Sequence, residues 1–329
     1  MAITIPTDFK VYNAYVQTGF IEGIAENIAG FGAGSNGGIN VTVEGLIGDY
    51  KQVAMFGKLA EDEIINDRDK NSVTAVTPSS LDSIEDIIPY LPSRYGPYET
   101  TRSAFLDIGK SPEEFSTLLG RELASYVTKD MLNTGLGTAM AAVNGNAAMT
   151  IGHGSVGAAA LDYAKLIDLM ALYGDQLDSI ACFAMRSKDY YALMKGNITA
   201  ATIDSVAGQT FMHGTTATMG KPVWVTDLSA LSAGHGAAAA DSGAVIALTK
   251  NAITVIQDSD FYVENQTALL KENITIQWQG EGQYGVDLKG YAYDKTKAVT
   301  RASLLTTANW TKIVTSDKNT LGGVLFTTK

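Results

Sequence analysis

Val and Ile alternate with polar neighbours through "INVTVEGLIGDYKQVAMFGKLA", residues 39–60, and this period of two predicts strands. The segment before it, "FIEGIAENIA" at 20–29, has a weak helical pattern, and the glycines of "GFGAGSNGG" at 30–38 are expected to break the chain between the two. From Glu61 to Tyr98 the pattern dissolves, and charges, Ser, Thr and Pro mix with Ile64, Ile65, Val73, Val76, Ile84, Ile87, Ile88 and Leu91. A stretch of ~40 residues is far longer than the usual ~4–6-residue connection. It holds too many apolar groups for a solvated linker and too few in register for a core of its own. Their cover is expected from elsewhere, such as another chain.

A helical period follows in "SPEEFSTLLGRELASYVTKDMLNTGLGTAM", residues 111–140. Ser111 suits the N-cap, Pro112 the first helical position, and Glu113 and Glu114 a first turn that faces the positive end of the macrodipole. Phe115, Leu118, Leu119, Leu123, Tyr126, Val127 and Met131 share one apolar face. Up to Thr134 such a helix spans roughly 35 Å, and Gly135 and Gly137 should then weaken it. "LDYAKLIDLMALYG" (161–174) predicts a helix, "SIACFAM" (179–185) a buried strand, "SKDYYALMKG" (187–196) a helix and "GKPVWVTDL" (220–228) a short strand with Pro222 at its start. This order makes a compact α/β unit over about 160–232. The chain then turns to strands: "AVIAL", "AITVI", "DFYVEN", "NITIQWQG" and "GVDLKGYAYD". In the fourth, Ile274, Ile276 and Trp278 share one face, as a half-buried strand requires.

The chain has 329 residues, of which 46% are hydrophobic, enough for a sizeable core. A formal net charge of −11 disfavours nucleic-acid wrapping, because the molecule as a whole repels phosphate. The single cysteine, Cys182, sits in an apolar run, so neither a disulfide framework nor a metal cluster is expected. Asp8 and Lys10 interrupt any secretory signal, and no segment approaches the ~18 apolar residues of a membrane span. A soluble protein used without export is expected, so Asn-x-Ser/Thr matches such as Asn197 and Asn273 carry no glycosylation message.

Chemistry finds little support. Ser187, Lys188 and Asp189 stand at a strand-to-helix junction where many α/β enzymes hold a nucleophile, but "AMRSKDY" lacks the glycine-flanked elbow, and Ser187 suits an N-cap. "HGSVG" at 153–157 places His153 where the first glycine of that elbow belongs, which weakens Ser155. "GAGSNG" at 32–37 matches a dinucleotide-binding glycine pattern, yet helix precedes it and strand follows, the reverse of the order that puts phosphate on a helix N-terminus. "DRDKN" at 67–71 opens like a calcium loop, but Ser72 replaces the turn glycine and Pro78 the bidentate Glu. His153, His213 and His235 have no partner ligand at helical spacing. No catalytic, cofactor-binding or metal-ligating residue is assigned.

Several stretches in order resemble the major capsid proteins of tailed double-stranded-DNA bacteriophages, whose subunits share the Hong Kong 97-like fold. They are "GDYKQVAMFGKLA", "DRDKNSVTAVTPSSLDS", "RYGPY", the helix from Ser111, "FAMRSKDYYALMKG", "GKPVWVTDL", "QWQGEGQYGVDLKGYAYD" and "ANWTKIVTSDKNTLGGVLF". The resemblance implies an α+β fold with an N-terminal arm (1–40) and an extended loop with its flanking strands (41–110). A peripheral domain with a long spine helix (111–159), an axial α/β domain (160–250) and late strands with a C-terminal extension (251–329) complete it. It implies a self-assembling, non-enzymatic subunit that forms hexamers and pentamers of an icosahedral shell around double-stranded DNA. The shell would form in the host cytoplasm and become part of the virion, without sequence-specific DNA binding or membrane contact.

The loop would lie over a neighbouring subunit, with Ile64, Ile65, Arg68, Val73, Val76, Ile84, Ile87 and Ile88 as candidate contacts; Phe115, Leu119, Leu123 and Val127 would form the core face of the spine. Only some 40 residues precede the loop, so a separate scaffolding protein is expected beside the portal, and the shell leaves room for a decoration or cement protein. Lys51, Lys58 and Lys70 match no cross-linking motif. The alternatives are an encapsulin-like compartment shell and a serine-type α/β enzyme using Ser187 or Ser155.

Overall fold

The computed structural model describes residues 13–56, 70–73, 75, 83–101, 112–152, 161–199, 221–232, 243–259, 262–268, 272 and 275–327. Helix α1 (Asn13–Gly34) is longer than its pattern suggests, running through Gly30 and Gly32. It ends at a turn in which Asn36 (φ 50°) and Gly37 (φ 76°) take left-handed conformations and the Gly38 amide bonds the Ser35 carbonyl at 2.9 Å. Strand β1 (Ile39–Glu44) follows. Helix thus contains Gly30, Gly32 and Gly34, and strand follows Gly37 and Gly38. What carries α1 past its glycines is packing against α2 (Pro112–Asn144), since tertiary burial rather than propensity supplies most helix stability.

Strands β2 (Tyr50–Phe56) and β3 (Ser83–Thr101) form an antiparallel hairpin that brackets the loop. β3 lies in the stretch where the hydrophobic pattern dissolves, and it is one 19-residue strand despite Pro89, Pro92 and Pro97. Its register explains why prolines fit. Residues 83–89 pair with β2 and residues 90–101 with β10 (Thr275–Leu288), so each part of β3 has one paired edge. Pro97 falls at the irregularity where the register shifts between Trp278 and Gly280. Unpaired edges and bulges are the places where a missing N–H costs nothing to the ladder.

The larger sheet has eight strands. Its path runs β1, β8 (Ile253–Asp258), β10, β11 (Tyr291–Tyr293), β12 (Trp310–Lys312), with β3 and β9 (Tyr262–Ala268) also on β10 and β2 on β3. β1 is parallel to β8, while β10 is antiparallel to all its partners. The two apolar runs "NITIQWQG" and "GVDLKGYAYD" therefore join: residues 275–280 of the first and 285–288 of the second lie in the continuous strand β10, and the second goes on into β11. Ile274 and the Ile276 side chain lie outside the described residues, but Trp278 is buried as expected and stacks on Tyr98 at 4.8 Å between centroids.

Helix α2 crosses this sheet and runs on through Gly135 and Gly137 to Asn144, 33 residues in all. Gly135 brings α2 close to β8: a Cβ there would lie 3.3 Å from Ile253 Cγ2 and 3.4 Å from Val255 Cγ2, so those methyls would have to give by a few tenths of an ångström. From Met131 onward nearly every α2 residue is buried, which marks a helix surrounded by protein.

The second sheet has five strands in the order β4 (Thr150–Ile151), β13 (Gly322–Thr327), β7 (Gly243–Thr249), β5 (Ile180–Met185), β6 (Val223–Val225). Helix α3 (Tyr163–Ala171) is capped by Asp162, whose carboxylate accepts from the Lys165 amide at 2.9 Å. Helix α4 (Ser187–Thr199) follows β5, and β6 then pairs parallel to β5. β5, β7 and β13 are buried at every residue, as their unbroken apolar runs predict. β13 thus lies inside this sheet, between β4 and β7. Tyr173 fastens it, its hydroxyl accepting from the Gly323 amide at 2.7 Å and donating to the Ala247 carbonyl at 2.9 Å.

Candidate functional site: the hairpin and the spine helix

The strand-to-helix junction at β5–α4 is occupied by structural bonds. Ser187 is the first residue of α4, not its N-cap, and its Oγ lies 2.8 and 2.9 Å from the two carboxylate oxygens of Asp227. The Ser187 amide also donates to Asp227 at 3.0 Å, so Asp227, reaching from the segment after β6, serves as the acceptor for the helix start. These bonds from Ser187 hold the Asp227 carboxyl below its ordinary value, which makes it a poor base. Asp189 is buried in a bidentate pair with Arg186, at 2.7 and 3.2 Å, and accepts from Thr327 on β13 at 3.2 Å. Lys188 is exposed.

The trio therefore joins the start of α4 to β13, and no nucleophile is activated there. Ser155 and the three histidines, His153, His213 and His235, lie outside the described residues, as does most of the calcium-like run at 67–71. Among the described residues no three His, Cys, Asp or Glu side chains gather as metal ligands. Cys182 is buried and its thiol is pushed up to about 12 by desolvation, the signature of an inert core residue. No helix among the described residues is long and apolar enough to cross a membrane.

What the surface offers instead is a binding relief. An open groove of ≈ 560 Å³ lies between β3, the middle of α2 and residues 299–301. Arg94 and Tyr98 line one wall, Tyr126 and Asp130 the other, and Arg301 closes the end with a 2.6 Å ion pair to Asp130. The Tyr284 hydroxyl beneath it lies 3.1 Å from both Asp130 and Thr134, and burial raises that phenol above its ordinary value. Tyr98 and Tyr126 are more than half exposed, presenting aromatic area beside charge.

The spine face expected from the sequence is partly corrected. Leu123, Val127 and Met131 are buried and Leu119 packs against the core, but Leu118 and Tyr126 are exposed. Their places are taken by Ala124 and by Gly120, which meets α1. The Phe115 side chain and Ser111 lie outside the described residues. Of the loop residues, Ile64, Ile65, Arg68 and Val76 also lie outside them, Val73 is fully exposed and Ile84 half-buried. Ile87 and Ile88, expected to find cover on another chain, find it here. Ile87 joins the main core and Ile88 a small cluster with Leu46, Tyr90 and Ile256. The reason is the alternation of β3, which sends the two side chains to opposite faces of the same sheet.

Sequence reasoning missed the groove and the Arg186–Asp189 pair. The i, i+3 spacing of the pair was the available signal.

A long spine helix crossing an eight-stranded sheet, a hairpin bracketing a long loop and a second mixed sheet make up the architecture of a viral shell subunit of the Hong Kong 97-like α+β class. The fold matches a chain of the cyanophage Pam1 capsid asymmetric unit, with a TM-score of 0.51, 12% identity, and coverage of 87% of this chain and 88% of that one. It likewise matches a chain of the capsid of Ralstonia phage GP4, with a TM-score of 0.53, 10% identity, and coverage of 90% and 88%. No curated protein matches the sequence. The Gp13-like family, described as major capsid protein 13-like, matches residues 8–325, and the chain belongs to it: it is a major capsid protein of a tailed phage.

Proposed function

We propose that this capsid subunit assembles with copies of itself, as hexamers and pentamers, into a closed icosahedral shell that encloses double-stranded DNA, and that it carries out no catalysis. Assembly in the host cytoplasm with a separate scaffolding protein and a portal fits the same reading, and a decoration or cement protein can bind the outside. The observation that carries it is the β2–β3 hairpin. Its base is built into the eight-stranded sheet, while the apolar residues between its strands, Ile64, Ile65 and Val76, have no counterpart in the sequence pattern of a core. Together with Arg68, the exposed Val73 and the half-buried Ile84, they are the proposed contacts with the neighbouring subunit. A large obligate interface can offset the entropy of ordering such a loop. The net charge of −11 suits a shell filled against its will and not bound tightly to its contents.

The test replaces residues 60–80 by a short turn, which keeps β2 and β3 whole. A cut reaching residue 95 would remove 13 of the 19 residues of β3, including those from Tyr90 to Tyr95 that pair with β10. Analytical ultracentrifugation with negative-stain microscopy, in the presence of scaffold-containing host lysate, should show closed particles for the native chain and folded, unassembled subunits for the variant. Normal shells from the variant would refute the loop's role.

A further inference from the structure

Residues 91–96 of β3 all line the ≈ 560 Å³ groove against α2. Successive strand residues point to opposite faces, so a wall made of an unbroken run is the edge of β3 and not one of its faces. β10 holds the other edge of this part of β3, and no strand among the described residues pairs with the groove edge. Tyr98 and Tyr126, 56% and 63% exposed, stand beside Arg94 and Arg301. Arg301 is shared with Asp130, whereas Arg94 makes no ion pair among the described residues, even with Glu281 opposite it on β10. In a subunit of net charge −11 this is a cationic, aromatic slot beside an open strand edge, which suits an extended acidic segment.

The loop that β2 and β3 bracket carries the complement. Its residues 57–69, "GKLAEDEIINDRD", set Glu61, Asp62, Glu63, Asp67 and Asp69 against Lys58 and Arg68, with Ile64 and Ile65 directly after the first three acids. A chain does not deliver this stretch to its own groove. The loop leaves the hairpin where Phe56 pairs with Ser83, the end of β3 farthest from the groove. Arg94 stands eleven residues beyond Ser83, ~36 Å along β3 at ~3.3 Å per residue, whereas Glu63 stands seven residues beyond Phe56, ~23 Å at full extension.

We propose that residues 61–65 of one copy lie in the β3–α2 groove of a neighbouring copy, the carboxylates of Glu61, Asp62 and Glu63 on Arg94 and Arg301 and the two isoleucines on Tyr98 and Tyr126. The assignment rests on the proposed function, which puts this loop on a neighbour, and adds the surface that receives it. A guanidinium fork matches a carboxylate with two parallel hydrogen bonds, and its five N–H donors let Arg301 take a second acid while it keeps Asp130. Because the groove is open, salt screens these pairs, and docking weakens as ionic strength rises.

Two readouts on the full-length chain test it. A fluorescent peptide of residues 57–69 should bind the unassembled native subunit at low ionic strength, read by anisotropy, and Arg94→Gln should weaken that binding about tenfold or more. No binding, or equal binding to both proteins, overturns the groove whether or not shells form. In assembly with scaffold-containing host lysate, Arg94→Glu, at an exposed position, should melt like the native chain yet lose closed particles. Adding Glu61→Lys, Asp62→Lys and Glu63→Lys to it should bring the particles back. Native particle yield from Arg94→Glu, or no recovery in the combined variant, also overturns the proposal. If replacing residues 60–80 blocks shells while Arg94→Glu does not, the loop's role stands and only this receiving surface falls.

Discussion

The seam between α1 and α2 gives the sharpest test of what holds the N-terminal helix. Three glycines face each other there. A Cβ on Gly120 would lie 2.2 Å from the Val16 carbonyl oxygen and 2.9 Å from the Phe20 amide nitrogen, and one on Gly19 would lie 2.5 Å from the Thr117 carbonyl oxygen. A Cβ on Gly23 would meet the Ala124 Cβ at 2.9 Å. The obstacles to Gly120 are backbone atoms of α1, so no rotamer change relieves them. In Gly120→Ala, α1 must retreat by roughly 1 Å to restore ordinary contact. Overpacking of this kind costs about 1–3 kcal/mol. If α1 lets go altogether, Val16, Phe20 and Ile24, now almost fully buried, lose their cover at about 1.5–3 kcal/mol each. Helix propensity works in the other direction, favouring Ala over Gly by about 1 kcal/mol. The seam therefore predicts net destabilisation where propensity alone predicts a gain. Ser125→Ala, at an exposed position on the same helix, isolates the propensity contribution. Thermal melting of the subunit, with limited proteolysis mapping cuts within residues 13–34, reads both effects. A Gly120→Ala protein as stable as the native one, with α1 still protected, would refute the reasoning.

Asp86→Asn removes a group whose folded value, about 6, stands above its ordinary 3.8, so native stability should be full at low pH and fall as pH rises between those values. The variant should gain about 1–3 kcal/mol over the native chain at pH 7.5 and nothing near pH 4, read from denaturant midpoints at each pH. Arg186→Ala strands the buried Asp189 charge and should cost about 3–5 kcal/mol, part of which Arg186→Ala with Asp189→Ala restores; equal losses in both would remove the charge argument. Leu123→Asp should lose several kcal/mol or fail to fold, whereas Leu118→Asp should melt like the native protein. The reverse order would show that the buried face of α2 is misassigned.

The start of α2 at Pro112, the buried strands β5, β7 and β8 and the absence of a nucleophile elbow are legible in local order, because proline placement and unbroken apolar runs act within a few residues. The family resemblance was legible in the same way, through stretches whose order along the chain persists. None of the local signals told which protein atoms would lie against each face. Gly135 and Gly137 read as weak points of the helix, yet α2 continues through them, packed closely on β8 at Gly135. Leu118 and Tyr126 read as core, yet α1 docks on the glycine side of the helix and leaves them outside.

The segment from Ile84 to Tyr98 shows the same division. Its prolines and charges argued against a strand, and they were outweighed by a ladder whose partner, β10, lies almost two hundred residues away in the chain. Local costs of glycine and proline are of order 1–3 kcal/mol per residue, and a long-range sheet or helix seam recovers more than that by burying many side chains at once. By itself the sequence determined where elements can begin and which faces are apolar. Only the tertiary structure decided which of those faces meet, because that choice belongs to pairs of segments and not to either segment alone.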